Sequence, residues 1–213
     1  MTGSDVHFTE AGLVGLELVP WGTHACHFYN GRDELLASLV PYIMAGLRAR
    51  ERCIWITAHP LPAREAMQAL RTAWHSADDA IQTGALRILD FDRWYTSSLI
   101  GADLVDLWLA EEERALADGY AGLRITGNLS FMTPDGWPGV RDYERSVTDR
   151  FAGRRIVALC SYVLKDCGDQ HMQDVLAAHN CALERRDEHW QVLPPAQSRN
   201  LDKIAKELDD PCS

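Results

Sequence analysis

The fold is decided by the stretch Thr23-His24-Ala25-Cys26-His27-Phe28-Tyr29, which stands just before a long segment with helical spacing of apolar residues. This pattern predicts the first strand of an α/β domain, running into the turn that begins its first helix. Because alternate side chains of a strand share a face, we expect His24 and Cys26 to point to one side of the sheet. His27 and Tyr29 should then point to the other side. Side chains two residues apart are separated by roughly 6.6 Å along a strand, which is close enough for both to contact one small ligand or metal ion.

Segments typical of strands and of helices alternate along the rest of the chain. Further strands are expected at 53–57, 86–89, 122–127, 156–162 and 189–193. Helices are expected at 35–47, 63–74, 102–117, 139–151 and 170–185. Asn30 is the expected N-cap of the first helix, and Pro41 should kink or restart it. The alternation predicts a mainly parallel sheet with helices on both faces, whose ligands bind at the carboxyl ends of the strands.

The length of 213 residues suits one domain with short additions at its ends. We assign residues 1–22 to a lead-in segment, 23–195 to the α/β domain and 196–213 to a C-terminal amphipathic tail. Because Leu201 and Ile204 lie on one side of the predicted tail helix, we expect the tail to dock on this domain or on a partner.

Charge and hydropathy narrow the classes of function. The formal net charge of −10 and the lack of a basic cluster argue against direct binding to nucleic acid or to an anionic membrane surface. No apolar run approaches the ~18 residues that span a bilayer, and the N-terminus lacks the features of a signal peptide, so we expect a cytoplasmic protein. The six cysteines form no Cys-x-x-Cys pair, which indicates reduced thiols rather than a disulfide framework.

Signatures of nucleotide-binding and nucleophilic enzymes are missing from the sequence. A phosphate-binding loop needs Gly-x-x-x-x-Gly-Lys-Ser/Thr after the first strand, whereas the segment 28–34 has one glycine, no lysine and two carboxylates. A Gly-x-Gly-x-x-Gly fingerprint is also absent, and the segment 127–131 is not a Gly-x-Ser-x-Gly elbow. We therefore expect neither ATP nor NAD as a cofactor, and a non-enzymatic protein in preference to an ATPase or a thiol enzyme.

Histidine and cysteine on one face of the first strand indicate a possible metal or redox site. Zinc accepts both nitrogen and sulfur ligands, and Cys160 approaches Cys26 if the fifth parallel strand lies beside the first. His24, Cys26 and Cys160 are therefore candidate ligands of a transition metal such as zinc, or the centre of a thiol-based sensor. The alternative is simple packing, because cysteine is among the most buried residue types. Arg124 on a buried strand must find a partner, and Glu144 is one candidate.

Several runs of this sequence resemble, in the same order, the MEDS domain, the methanogen/methylotroph DcmR-type sensory domain. They are Gly-Thr-His-Ala-Cys-His-Phe-Tyr at 22–29, Ala-Gly-Leu at 45–47, Gly-Leu-Arg-Ile-Thr-Gly at 122–127, Tyr-Glu at 143–144, Leu-Cys-Ser-Tyr at 159–162 and His179. The likeness extends from about residue 20 to residue 195. Its specificity comes from the opening motif taken together with Cys160 and Tyr162.

The resemblance implies an α/β fold of the RecA/KaiC-like (P-loop-like) type, a three-layer sandwich that lacks the Walker A loop of those ATPases. Members of the family are regarded as sensory modules for small hydrocarbon derivatives or one-carbon compounds, and they are often attached to DNA-binding or kinase domains. The ligand-binding candidates, most of them carried over from the family's runs, are His24, Cys26, Tyr29, Arg124, Cys160, Tyr162 and His179.

The leading hypothesis is a non-enzymatic cytoplasmic sensory domain that binds a small ligand at the carboxyl ends of the strands. Because the chain shows no output motif, we expect it to signal through a partner such as a kinase, an anti-sigma factor or a DNA-binding protein, and a homo-oligomer is compatible with this role. Three alternatives stay open. They are a metal- or thiol-based sensor using His24, Cys26 and Cys160, an enzyme of reduced P-loop ancestry, and an interaction module that uses the acidic surface and the segment 198–208.

Overall fold

The structure is a computed structural model and describes residues 7–91, 102–128, 137–186 and 188–193. The strands are β1 (Phe8–Leu13), β2 (Leu16–Pro20), β3 (His24–Tyr29), β4 (Arg52–Thr57), β5 (Leu86–Asp90), β6 (Leu123–Asn128), β7 (Ile156–Val163), β8 (Cys181–Arg186) and β9 (His189–Leu193). The helices are α1 (Arg32–Arg48), α2 (Ala63–Ala73), α3 (Ala77–Gln82), α4 (Ala102–Ala117), α5 (Trp137–Phe151) and α6 (Asp169–Ala178), and a short 3-10 turn, Leu164–Asp166, follows β7.

The centre of the fold is a seven-stranded sheet in the order β5-β4-β6-β7-β3-β8-β9. Every neighbouring pair from β5 to β8 is parallel, and β9 pairs antiparallel with β8. Helices α1 to α3 pack on one face of this sheet, and α4 to α6 pack on the other. The predicted α/β class, a mainly parallel sheet with helices on both faces, is confirmed. Within the described ranges, no helix combines the length and the apolar character needed to cross a bilayer.

Strand β3 lies directly beside β7, which is the arrangement that the candidate site requires. In their parallel register, Cys26 stands opposite Cys160. The side chains of β3 alternate as the sequence predicts: Cys26 packs against Val175 of α6 on one face, whereas Tyr29 joins the core beneath α1 on the other. Strand β7 is buried on both faces along almost its whole length, as an apolar central parallel strand should be.

Helix α1 begins one residue later than the sequence predicts. Its N-cap is Gly31 rather than Asn30, with extended backbone angles of φ −161° and ψ 174°. The backbone amide of Asn30 donates to the Glu34 carboxylate at 2.9 Å, so an acidic side chain of the first turn satisfies a free amide before the helix. Of the kink or restart expected at Pro41, the restart does not occur, because the helix continues through this residue.

The segment after α6 is a strand, whereas the sequence predicts a helix. The predicted helix over 170–185 is wrong beyond Ala178, where α6 ends, and the chain continues as strand β8. Strand β8 pairs in parallel with β3, opposing Cys181 to Ala25 and Leu183 to His27. The alanine, leucine, glutamate and arginine of this segment are good helix formers. Their local preference is overridden because the open edge of β3 offers backbone groups that need partners.

The predicted lead-in segment contributes a separate two-stranded sheet formed by β1 and β2. This hairpin packs closely on α1 at Gly12, which has a φ of +75° and would place a β-carbon 2.5 Å from the Pro41 carbonyl oxygen. Helix α3 was also not anticipated, because it is short and follows α2 without a turn signal in the sequence. The tail at 196–213 lies outside the described residues.

A buried ion pair joins the hairpin, α1 and the sheet. The Arg124 guanidinium donates to Glu51 at 2.6 and 3.1 Å and to the carbonyl oxygen of Glu10 at 2.6 Å, with both charged side chains fully buried. The suggested partner of Arg124, Glu144, is therefore wrong, because that residue lies on the opposite face of the sheet. Gly46 permits this packing, since a β-carbon there would lie 2.4 Å from Arg124 Nε.

We predict that Arg124→Met destabilises the fold by about 3–5 kcal/mol, because it leaves the Glu51 carboxylate buried without its counter-charge. Denaturant unfolding followed by circular dichroism measures the change. The control is Arg71→Met, which removes an exposed ion pair with Asp78 and should have little effect. Equal unfolding midpoints for the two variants would contradict the assignment.

Candidate functional site

Four polar side chains meet on the face of the sheet that is covered by α5 and α6. They are His24 of β3, Glu144 of α5, Cys160 of β7 and His179, which directly follows α6. One possible ligand atom from each lies within 4.8 Å of the others. His24 Nε2 is 3.1 Å from Glu144 Oε2 and 3.2 Å from Cys160 Sγ. His179 Nε2 is 3.6 Å from the same carboxylate oxygen.

The backbone holds the two histidines in place. The amide of His24 donates to the Asn180 side chain at 2.8 Å, and the amide of Asn180 donates to the His24 carbonyl oxygen at 2.9 Å. These reciprocal bonds anchor the end of α6 to the first residue of β3. Helix α5 brings two groups to the same place, because Glu144 and Thr148 are four residues apart and therefore share one side of the helix.

Hydrogen bonds outside the cluster fix the tautomers of both imidazoles. The Thr148 hydroxyl donates to the Ala178 carbonyl oxygen at 2.6 Å, so it accepts the hydrogen bond from His24 Nδ1 at 2.8 Å. His179 Nδ1 lies 2.7 Å from the Val175 carbonyl oxygen, which can only accept. The proton therefore sits on Nδ1 in both rings. Both Nε2 lone pairs point into the cluster.

Burial favours the neutral form of every group in the cluster. It lowers the pKa of His24 to about 3, and it lowers the pKa of His179 to about 3 with a further contribution from His24. Burial raises the pKa of Glu144, against the opposing effect of His179. Burial first, and then the nearby Glu144 carboxylate, raise the pKa of the Cys160 thiol. Burial therefore favours neutral imidazoles and disfavours both the carboxylate and the thiolate.

A small cavity of about 30 Å³ lies beside three members of the cluster, His24, Glu144 and Cys160. Its remaining wall is mostly apolar and comes from β6, α4 and α5; it includes Ile125, Gly127, Trp108, Val147 and Phe151. A site of this size holds about two water molecules, or a ligand of a few heavy atoms. The cavity thus combines one polar wall with an apolar lining.

The structure brings some of the predicted site residues together and separates others. His24, Cys160 and His179 belong to the cluster, and the Tyr162 ring contacts His179 edge-on with centroids 5.8 Å apart. Cys26 lies on the same face, but its thiol is directed to the Cys181 carbonyl oxygen at 3.7 Å. The predicted metal trio is therefore not the observed group, because Glu144 and His179 join His24 and Cys160 in place of Cys26.

Tyr29 and Arg124 lie on the opposite face of the sheet. The Tyr29 hydroxyl donates to the Asn128 side chain at 3.0 Å, and Arg124 is held by Glu51. Neither side chain reaches the cluster. The position along the strands also differs from the prediction: His24 begins β3 and Cys160 lies inside β7, whereas the sequence predicted a site at the carboxyl ends.

Glu144 and Thr148 are the two site residues that the sequence analysis did not assign to the cluster. The signal for Glu144 is its place in the Tyr-Glu run at 143–144, one of the runs that resemble the MEDS domain. The sequence instead suggests Glu144 as the partner of Arg124. Thr148 carries no signal of its own, because a threonine inside a helix usually bonds within that helix.

Comparison with known proteins agrees with this architecture. The family model of the MEDS domain, described as MEthanogen/methylotroph, DcmR Sensory domain, matches residues 23–180. No curated protein matches the chain. Among solved structures, the fold is similar to that of a KaiC-like protein from the hyperthermophilic archaeon Pyrococcus horikoshii OT3, with a TM-score of 0.58 and 12% sequence identity over 89% of this chain and 88% of that one. At this identity the likeness shows the fold alone.

A buried neutral histidine should make the free energy of unfolding fall at acidic pH. His27, which lies outside the cluster, offers a test of this expectation. Burial lowers the pKa of His27 to about 3, while the unfolded chain takes up the proton near 6.5. The unfolded state therefore binds more protons between these values, and stability is lost as the pH falls. Between pH 7 and pH 5 this histidine should cost about 2 kcal/mol.

The measurement is denaturant unfolding at pH 7, 6 and 5 for wild type and His27→Gln. We expect the variant to lose about 2 kcal/mol less than wild type over this range. His75→Gln, at an exposed position, is the control and should follow wild type. An equal loss of unfolding free energy between pH 7 and pH 5 in wild type and His27→Gln would disprove the prediction.

Proposed function

The chain belongs to the MEDS family of sensory domains, and on this basis we propose that it binds a small uncharged molecule in the cavity beside His24, Glu144 and Cys160 and signals this binding through a partner protein. The family supplies the sensory role. The ligand, its binding place and the partner are the parts that we propose.

The observation that supports this proposal is the contrast between the two walls of the cavity. Imidazole, carboxyl and thiol groups line one side, and aromatic and aliphatic groups line the other. Because burial favours neutral forms of these polar groups, a charged organic molecule, which does not coordinate them as a metal ion does, would lose its hydration without gaining a counter-charge. A molecule with one polar group on a short carbon skeleton matches both walls. One-carbon compounds and small hydrocarbon derivatives have this character.

We propose binding rather than catalysis because the thiol in the cavity wall is poorly suited to attack. The reactive form of cysteine is the thiolate, which needs a cationic and partly open setting. Cys160 instead lies beside Glu144, and its pKa is raised. The same environment that accommodates a neutral ligand therefore disfavours covalent chemistry.

Helix α5 is the element best placed to transmit a signal. It contributes Glu144 to the cavity wall and Thr148 to the bond that ties His24 to the end of α6. Its opposite side exposes charged residues, including Asp142 and Asp149. A ligand that contacts Glu144 more favourably in one position of α5 would shift the population toward that position, and a partner such as a kinase, an anti-sigma factor or a DNA-binding protein would detect the change.

We predict that Gly127→Ala weakens ligand binding without disturbing the fold. Among the described residues, no heavy atom lies within 4 Å of a β-carbon at Gly127, and this residue lines the cavity, so the added methyl group takes up most of its space. Binding of methanol and formaldehyde, followed by NMR chemical shifts, should weaken about tenfold or more, which corresponds to at least about 1.4 kcal/mol.

Gly31→Ala is the matched control, because Gly31 also has open space around it and does not line the cavity. We expect this variant to bind as wild type does. Formate and methylammonium serve as charged counterparts and should not bind. If neither methanol nor formaldehyde shifts the resonances of residues around the cavity, or if Gly127→Ala binds them as tightly as Gly31→Ala, the proposed binding place is wrong.

A further inference from the structure

We infer that His24, Glu144, Cys160 and His179 form a mononuclear site for a divalent transition metal ion of the zinc class. This inference goes beyond the proposed binding of a small molecule. It concerns the same side chains, but each of the two proposals can fail without the other. The argument rests on donor chemistry, on the direction of the lone pairs and on charge balance.

The donor set is that of a transition metal rather than of calcium or magnesium. Two imidazole nitrogens, one sulfur and one carboxylate oxygen suit zinc and its neighbours, whereas the hard cations prefer oxygen alone. Around a tetrahedral zinc ion, bond lengths of about 2.0–2.3 Å place neighbouring ligand atoms roughly 3.3–3.6 Å apart. The observed separations from His24 Nε2 to Glu144 Oε2 and Cys160 Sγ are 3.1 and 3.2 Å, and that from His179 Nε2 to Glu144 Oε2 is 3.6 Å.

The direction of the lone pairs is the second argument. Because Thr148 and the Val175 carbonyl oxygen hold the Nδ1 protons, two Nε2 lone pairs face one carboxylate oxygen across the centre of the cluster. His179 Nε2 has no hydrogen-bond partner among the described residues, and its side chain is completely buried. Leaving such an atom unpaired is costly. A cation at the centre satisfies both nitrogens at once.

The same two hydrogen bonds act as the outer support that metal-binding histidines normally have. A ligating imidazole usually donates its other N–H to a carbonyl, hydroxyl or carboxylate group, which fixes its orientation. The Val175 carbonyl oxygen accepts this bond from His179, and the Thr148 hydroxyl accepts it from His24.

Charge balance favours a divalent ion. In the loaded site Cys160 binds as a thiolate and Glu144 as a carboxylate, while both histidines bind as neutral rings. The two negative charges then cancel the two positive charges of the ion. A buried site with no net charge avoids the large cost of burying an isolated ion.

The test uses untagged full-length protein, stripped of metal with a chelator and titrated with Co²⁺ and then Zn²⁺. We expect one equivalent of Co²⁺ to bind with the visible bands of a tetrahedral ion and a sulfur-to-cobalt charge-transfer band, and Zn²⁺ to displace it. Cys160→Ser should lose the charge-transfer band and weaken binding about tenfold or more. Cys26→Ser is the matched control, a buried cysteine on the same face and opposite in register, and it should keep both.

Thr148→Val covers the case in which Cys160→Ser does not fold. It keeps all four ligands but removes the hydroxyl that orients His24 and donates to the Ala178 carbonyl oxygen beside His179, so we expect the charge-transfer band to remain while affinity falls about 10- to 100-fold. The inference is overturned if folded wild type takes up no stoichiometric Co²⁺, if Cys26→Ser loses the charge-transfer band, or if Thr148→Val binds as tightly as wild type.

The two proposals are separated by measuring methanol and formaldehyde binding on stripped and on metal-loaded protein. Small-molecule binding without metal uptake would disprove the metal site and leave the proposed function standing. Metal uptake without small-molecule binding to either form would disprove the proposed function and leave the metal site standing.

Discussion

The parallel pairing of β3 with β7 is the constraint on which the site depends. It sets His24 and Cys160 on the same face of the sheet, with 3.2 Å between His24 Nε2 and Cys160 Sγ. A shift of one residue in this register would turn every side chain of one strand to the other face. The register is held by apolar residues on both faces of β7 and, at the start of β3, by the reciprocal hydrogen bonds between His24 and Asn180. The relative placement of His24 and Cys160 is thus a consequence of strand pairing, whereas Glu144 comes from α5 and His179 from the connection between α6 and β8.

The two faces of the sheet differ in how completely their buried polar groups are hydrogen-bonded. On one face, the Arg124 guanidinium is shared among Glu51 and backbone carbonyl oxygens, and Tyr42 stacks on it with 4.5 Å between the guanidinium carbon and the ring centroid. Such a saturated network stabilises and orders the core. On the other face, His179 Nε2 and one carboxylate oxygen of Glu144 are buried without a hydrogen-bond partner among the described residues. A protein that keeps an incompletely satisfied buried cluster beside a cavity bears a cost that binding of a ligand or an ion would offset.

Much of this arrangement could be predicted from the sequence, because it follows from local periodicity. Alternation on β3 separates His24 from Tyr29, and the apolar run of β7 marks a central strand. Strand β8 could not be found in this way, since its helix-forming residues adopt a strand only because the edge of β3 is open. The assignment of Glu144 failed for a related reason. The chain has 31 acidic residues, and only the three-dimensional course of α1 and α5 decides that Glu51, and not Glu144, reaches Arg124.

Helix α5 links the cluster to the surface more directly than any strand does. The strands beneath it are fixed by neighbours on both sides, whereas α5 is held by side-chain packing and by a few polar contacts. Two of those contacts, through Glu144 and Thr148, meet His24 from successive turns of the helix. A change at His24 would therefore act on α5 directly, through these two contacts. In the sensory role that we propose, this helix, with a buried polar site on one side and solvent on the other, connects binding to recognition by a partner.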